Sequence, residues 1–179
     1  MHTSIDEFSI PKERVAVIIG PNGKTKKAIE TKTGTKIHID SKNGDVTIEA
    51  EDAAKTLKAS NMVRAIGRGF SPEHAMKLLD DEYYLEFIHL TELLGKNWKQ
   101  IQSKKGRVIG KDGSIREKIE VDTKTHISVY GKTIGIIGKA EGVEKAKEAV
   151  TMLIKGAEHA SVLNYLRQSH TQEEEFEFR

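Results

Sequence analysis

The chain contains no cysteine, which excludes a disulfide framework, a zinc knuckle, an iron–sulfur cluster and a thiol nucleophile. Nowhere does it approach the roughly 18 consecutive apolar residues that a membrane helix needs, so a transmembrane protein is excluded. The opening residues Met1-His2-Thr3-Ser4-Ile5-Asp6-Glu7 lack the basic start and apolar run of a secretory signal. These absences suit a reducing cytoplasm, which is the expected location. Proline (3 residues) and aromatics (6%) are scarce, and neither sign of charge dominates, with 29 basic residues against 27 acidic. What is present, 37% hydrophobic and 31% charged residues with 15 glycines, is the composition of a globular soluble protein. A length of 179 residues leaves room for one ordinary domain or two small ones.

The near-zero net charge conceals strong clustering. From Lys12 to Lys36 there are seven basic residues against two acidic, and from Lys96 to Lys118 eight against two. Between them, Phe70 to Glu92 holds six acids and one lysine, and Gln172 to Arg179 is again acidic. The two basic islands share a sequence. A constant offset of 90 sets Gly20-Pro21-Asn22-Gly23 over Gly110-Lys111-Asp112-Gly113 and aligns Ile19 with Ile109, Lys26 with Arg116, Ile29-Glu30 with Ile119-Glu120, Thr33 with Thr123, Thr35 with Thr125 and Ile37 with Ile127. The chain therefore reads as a tandem duplication, each unit about 80 to 90 residues, small but able to fold alone.

In the first unit Ser4 to Ile10 alternates as a strand, and Pro11 pre-sets a helix through Ile19 that Gly20 and Gly23 break. A second helix, Lys24 to Lys32, ends at Gly34. Strands Lys36 to Asp40 and Asp45 to Glu49 flank Lys42-Asn43-Gly44, a hairpin signal. A last helix has Asp52 as N-cap and presents Leu57, Ala59, Met62, Val63 and Ile66. Ser71-Pro72 starts a short helix to about Leu79. The second unit repeats the order: strand Tyr83 to Leu90, helix Ile115 to Thr123, strands His126 to Tyr130 and Thr133 to Ile137, helix Val143 to Ile154. About ten extra residues fall between its strand and its loop, an inserted helical segment near 91–105 with Trp98 and Ile101 expected to pack inward. A further helix, Ala157 to Gln168, is expected to turn Ala160, Leu163 and Leu166 to the core. The expected division is a first domain at 1–70, a helical connector at 71–81, a second domain at 82–168 and a disordered acidic tail at 169–179.

Val17-Ile18-Ile19-Gly20-Pro21-Asn22-Gly23 and Arg107-Val108-Ile109-Gly110-Lys111-Asp112-Gly113-Ser114-Ile115 resemble the VIGxxG signature of KH domains. The resemblance covers nearly the whole chain. It implies an α+β fold of two tandem eukaryotic-type (type I) KH domains, each βααββα with a three-stranded antiparallel sheet packed on helices. Gly106 to Gly110 and Ser128 to Thr133 are similar to the Krr/Dim/Pno group of small-subunit ribosome assembly proteins, and the short chain is like that of an archaeal member. That resemblance implies binding to small-subunit ribosomal RNA or its precursor near the 3′ end, and cooperation with a Nob-type endonuclease or other assembly proteins.

In such a site glycine lets backbone N–H groups approach phosphates, the following helix adds its positive end, and about four nucleotides of single-stranded RNA lie between loop and edge strand. The candidate residues in the second unit are Gly110, Lys111, Asp112, Gly113, Ser114, Arg107 and Arg116, over an apolar floor of Ile109, Ile127 and Val129 joined by Ile115 and Ile119. In the first they are Gly20, Pro21, Asn22, Gly23, Lys24 and Lys27, with Ile19 and Ile37 beside Thr25, Ile29 and Ile39. Lys111 makes the second loop the stronger, Pro21 deprives the first of a donor, and Asp112 is expected to cap the following helix.

Two other functions are weighed. Gly20 to Thr25 ends like a nucleotide-binding loop, but GxxxxGK[ST] needs its first glycine at position 18, which is Ile18. The histidines show no metal spacing and the acids form no catalytic set, so no enzyme activity, cofactor, metal or small-molecule substrate is expected. A degenerate pair acting as a protein scaffold would use Asp80-Asp81-Glu82 or the segment around Trp98.

Overall fold

A computed structural model describes the backbone of residues 3–177 and the side chains of residues 3–169. The chain divides into two units at Leu85–Glu86, a boundary that falls inside the strand opening the second sheet.

In the first unit, β1 (Ser4–Ser9) alternates half-buried and exposed residues. Pro11, at φ −56°, turns the chain into α1 (Lys12–Ile19), which buries Val15 and Ile18. α2 (Lys24–Thr33) stops at Gly34, where a φ of 68° ends the helix. β2 (Lys36–Asp40) and β3 (Asp45–Ala50) follow, and in their turn Asp40 Oδ1 accepts the Lys42 N–H at 2.8 Å while Gly44 sits at φ 79°. α3 (Ala53–Gly67) is capped by Asp52, which accepts the Lys55 N–H at 2.9 Å. The sheet order is β1-β3-β2, antiparallel throughout, so β2 is an edge. Ile18, Ile29, Ile37, Ile48, Met62 and Ile66 are fully buried between sheet and helices. Each such side chain contributes about 1.5–3 kcal/mol by leaving water.

Leu57 is 61% exposed, against the inward place its spacing predicts. Ala59, Met62, Val63 and Ile66 take the inward places predicted for them, and the polar Thr56 and Ser60, also buried, complete the inner face of α3 where Leu57 does not. α4 (Pro72–Met76) is capped by Ser71, and with the 3₁₀ turn Lys77–Leu79 it packs on α3 within the first unit. Lys58 of α3 fixes that segment, donating to the Leu79 carbonyl at 2.8 Å and pairing with Asp81 at 2.6 Å.

The second unit runs β4 (Tyr83–His89), α5 (Leu90–Leu94), α6 (Trp98–Ile109), α7 (Ser114–Thr123), β5 (His126–Tyr130), β6 (Thr133–Lys139), α8 (Ala140–Lys155) and α9 (His159–Glu177). Its sheet order, β4-β6-β5, repeats the first, with β5 at the edge. Both units thus have the α+β architecture expected, and α5 with the first turns of α6 is the insertion. Within it Ile101 is fully buried but Trp98 is 50% exposed, a correction to the inward packing expected of both. Trp98 shares a helical face with Ile101, but it is the first residue of α6 after the N-cap Asn97, at an end of the helix where Lys96, Asn97, Lys99 and Gln100 are exposed as well.

α9 begins at His159 rather than Ala157, so its inner stripe falls on Val162 and Leu166; Ala160 is exposed and Leu163 half-buried. The tail also differs from expectation, because the backbone is helical through Glu177. Its run of Gln and Glu carries good intrinsic helix propensity. Residues 178 and 179 of the expected tail lie outside the described residues. Among the described residues no helix is long and apolar enough to cross a membrane.

Candidate nucleic-acid interface

α1 ends at Ile19 and Gly20 turns the chain with φ 72° and ψ 174°; Asn22 is left-handed at φ 53° and ψ 31°, and Gly23 follows at φ 71°. In the second unit Gly110 has φ 71° and ψ 179°, Asp112 φ 54° and ψ 28°, and Gly113 φ 78°. The two loops therefore share one backbone conformation. The first glycine of each is dictated by space as well as φ: a Cβ on Gly20 would collide with the Thr25 side chain, and one on Gly110 with that of Ile115. At Gly23 an added Cβ would meet nothing within 4 Å, and at Gly113 nothing closer than 3.6 Å. The outer face of each loop is thus open beside its second glycine.

The cations divide into two groups. Lys24, Lys27 and Lys111 are exposed, and their side chains make no hydrogen bond or ion pair among the described residues. Arg107 is committed to the fold: its guanidinium donates to the Leu153 carbonyl at 2.9 Å and to the Ala157 carbonyl, holding the end of α8. Arg116 pairs with Glu120 at 3.2 Å. Asp112 does not cap α7. It sits one position before the N-cap, which falls on Gly113, and no side chain caps that helix.

A feature that the alignment displayed without explaining joins the helix after each loop to the edge strand. Glu30 Oε1 accepts the Ile37 N–H at 2.8 Å, and Glu120 Oε1 accepts the Ile127 N–H at 2.7 Å. Four residues earlier a cation holds each carboxylate, Lys26 in the first unit and Arg116 in the second. Lys26 also donates to the Ile37 carbonyl at 2.9 Å. Beside this clamp, Thr33 and Thr35 share a buried hydrogen bond of 2.8 Å, as do Thr123 and Thr125. The signal was the repeated Glu at the same offset; its partner, seven residues on in a strand, is not readable from helical spacing.

Burial sorts the expected apolar floor: Ile29, Ile37, Ile119 and Ile127 are core, while Ile19, Thr25 and Ile39 in one unit and Ile109, Ile115 and Val129 in the other are half-buried. Replacing Glu120 with alanine is expected to cost about 1–3 kcal/mol, because it strands the Ile127 N–H. Glutamine, which keeps an acceptor, is expected to lose less. Urea unfolding of both variants measures this, and equal losses would show that the carboxylate charge, not the strand bond, matters.

Comparison with known proteins follows the same division. Residues 84–171 match the family described as eukaryotic type KH-domain (KH-domain type I), and residues 5–65 the family described as KH domain. A KH domain-containing protein of Methanocaldococcus jannaschii is 48% identical over 167 residues, covering 91% of this chain and 73% of that protein. The RNA-binding protein PNO1 of Oryzias latipes is 31% identical over 120 residues; the match covers 66% of this chain and 49% of that protein, about half its length. Among solved structures, a chain in the a/eIF2alpha-aDim2p-rRNA complex of Pyrococcus horikoshii aligns with a TM-score of 0.89 at 43% identity, over 95% of this chain and 96% of that one.

Proposed function

The chain belongs to the KH-domain family and carries two KH domains, and on that premise we propose that it binds single-stranded RNA through its two GxxG loops in ribosome biogenesis. The target is small-subunit ribosomal RNA or its precursor near the 3′ end, with a Nob-type endonuclease or other assembly proteins as partners. The observation that carries the reading is the pair of loops with one backbone conformation, each open on its outer face and followed by a helix of ten residues. Such a loop offers N–H groups and a helix N-terminus to a phosphate, and the half-buried isoleucines offer bases an apolar surface. The two sites are unequal, since Pro21 has no N–H to give whereas Lys111 brings both an N–H and a cation. The rRNA-containing complex and the name of the PNO1 relative support the RNA class.

Ultraviolet crosslinking of the full chain in its host, followed by sequencing of the bound RNA, tests the assignment. Reads concentrated near the 3′ end of small-subunit rRNA are expected. Random RNA would overturn the ribosomal target, and no RNA at all would overturn the function.

A further inference from the structure

Resting on the RNA-binding reading, we infer that Trp98 is a second RNA contact, a stacking platform for a nucleobase beyond the nucleotides held at the Gly110–Gly113 loop. The ring stands at the first turn of α6 with half its surface in water, while Leu90 and Ile101 on either side of it in sequence are fully buried. A tryptophan so placed contributes little to the core. It belongs to the segment that the second unit has and the first lacks, so duplication alone does not account for it.

Its surroundings favour a polyanion. Lys96 and Lys99 are exposed on either side, and from Lys96 to Arg107 the sequence contains no acid. Lys105 places its ammonium 5.7 Å from the ring centroid and donates to the Gly131 carbonyl at 2.8 Å, in the turn that ends the edge strand β5. The ring therefore stands beside the far end of that strand. α6 itself leads from Trp98 to the Gly110 loop, twelve residues or about 18 Å of helix. An RNA strand clamped at the loop and continuing along this lysine-bearing helix reaches Trp98. Bases of any identity stack on such a ring, so the platform would add affinity and length preference more than sequence preference.

Trp98 is the one tryptophan of the chain, so its emission reports on itself. The test titrates the full chain with fluorescein-labelled mixed-sequence RNA pools of 4 and 12 nucleotides, following anisotropy and tryptophan emission together. The 12-mers are expected to quench Trp98 and to bind about fivefold or more tightly than the 4-mers, the low end of what a base gains by stacking. Trp98→Ala is expected to keep 4-mer binding and lose the gain, and Trp98→Phe to restore part of it. Changing Lys96 and Lys99 together to Gln is expected to flatten the salt dependence for the 12-mer by about 0.7 for each phosphate no longer neutralised. Binding of the 12-mer with unchanged emission and full affinity in Trp98→Ala overturns the platform while leaving the loop reading intact. Loss of a protein crosslink in Trp98→Ala with RNA affinity unchanged makes this a protein surface, and also overturns it. No binding of either pool overturns both readings.

Discussion

Aspartate at both Lys111 and Ser114 lowers affinity for single-stranded RNA by about tenfold or more, while aspartates at Pro21 and Asn22 lower it by about threefold or less. The two loops share their dihedral angles, so backbone shape does not rank them; the variants differ in side-chain chemistry and in reach, since Ser114 corresponds to Lys24 just beyond the first loop whereas Asn22 lies within it. In the second loop the substitution removes an exposed cation and adds two carboxylates where a phosphate would sit. A hydrogen bond to a charged group is worth about 1.5–3 kcal/mol, and tenfold in affinity corresponds to about 1.4 kcal/mol. In the first loop Pro21 supplies neither cation nor N–H, so there is less to lose, and Lys24 and Lys27 remain just beyond. Lys111 and Ser114 are exposed and no side chain caps α7, so both variants are expected to fold. Anisotropy titrations of the two against one labelled 12-mer decide it; equal losses would sink the ranking of the sites.

The glycines of the second loop are expected to separate stability from shape. Gly110→Ala places a Cβ 2.9 Å from both the Cβ and the backbone nitrogen of Ile115, on a residue held at φ 71°. With ψ at 179°, Gly110 occupies an extended positive-φ region that is essentially reserved for glycine and costs an L-residue about 1–3 kcal/mol, and forced overpacking adds about 1–3 kcal/mol, so a loss of about 2–6 kcal/mol is expected. Gly113, at φ 78° and ψ 8°, is left-handed helical, and Gly113→Ala meets nothing closer than 3.6 Å, so it bears only the left-handed cost of about 1–2 kcal/mol. Urea unfolding followed by tryptophan emission reads the second unit, because that is where Trp98 lies. Equal shifts for the two variants would mean that Ile115 yields freely and the collision is no constraint.

Much of this was open to a reader of the sequence, for a physical reason. The offset of 90 compares the chain with itself, and residues that recur in both copies, Gly20 with Gly110 or Thr33 and Thr35 with Thr123 and Thr125, do the same work in both. Periodicity located the helices and strands because a helix needs a buried stripe and a half-exposed strand an alternation. It failed where small or polar residues serve as the inner face, as Thr56 and Ser60 do in place of Leu57. It failed again at Trp98, since hydrophobic character predicts burial and the ring stands half in water. Charge counting overstated the cations available, because Arg107 and Arg116 look like Lys111 in sequence and only the fold reveals that carbonyls and a carboxylate already hold them.

The glutamate clamp also sets a parity along each edge strand. Backbone groups of a strand point to alternate sides, so once the Ile127 N–H is turned outward to Glu120, the next outward residue is Val129, while Ser128 between them faces Gly135 of β6. In the first unit the phase is the same, with Ile39 following Ile37 and His38 paired to Thr47. A ligand lying along either edge thus finds the first outward amide already taken and the second unclaimed by the clamp, two residues further on. Slipping the strand by one residue would turn the isoleucines out of the core, so this phase is locked by the same side chains that hold the sheet down.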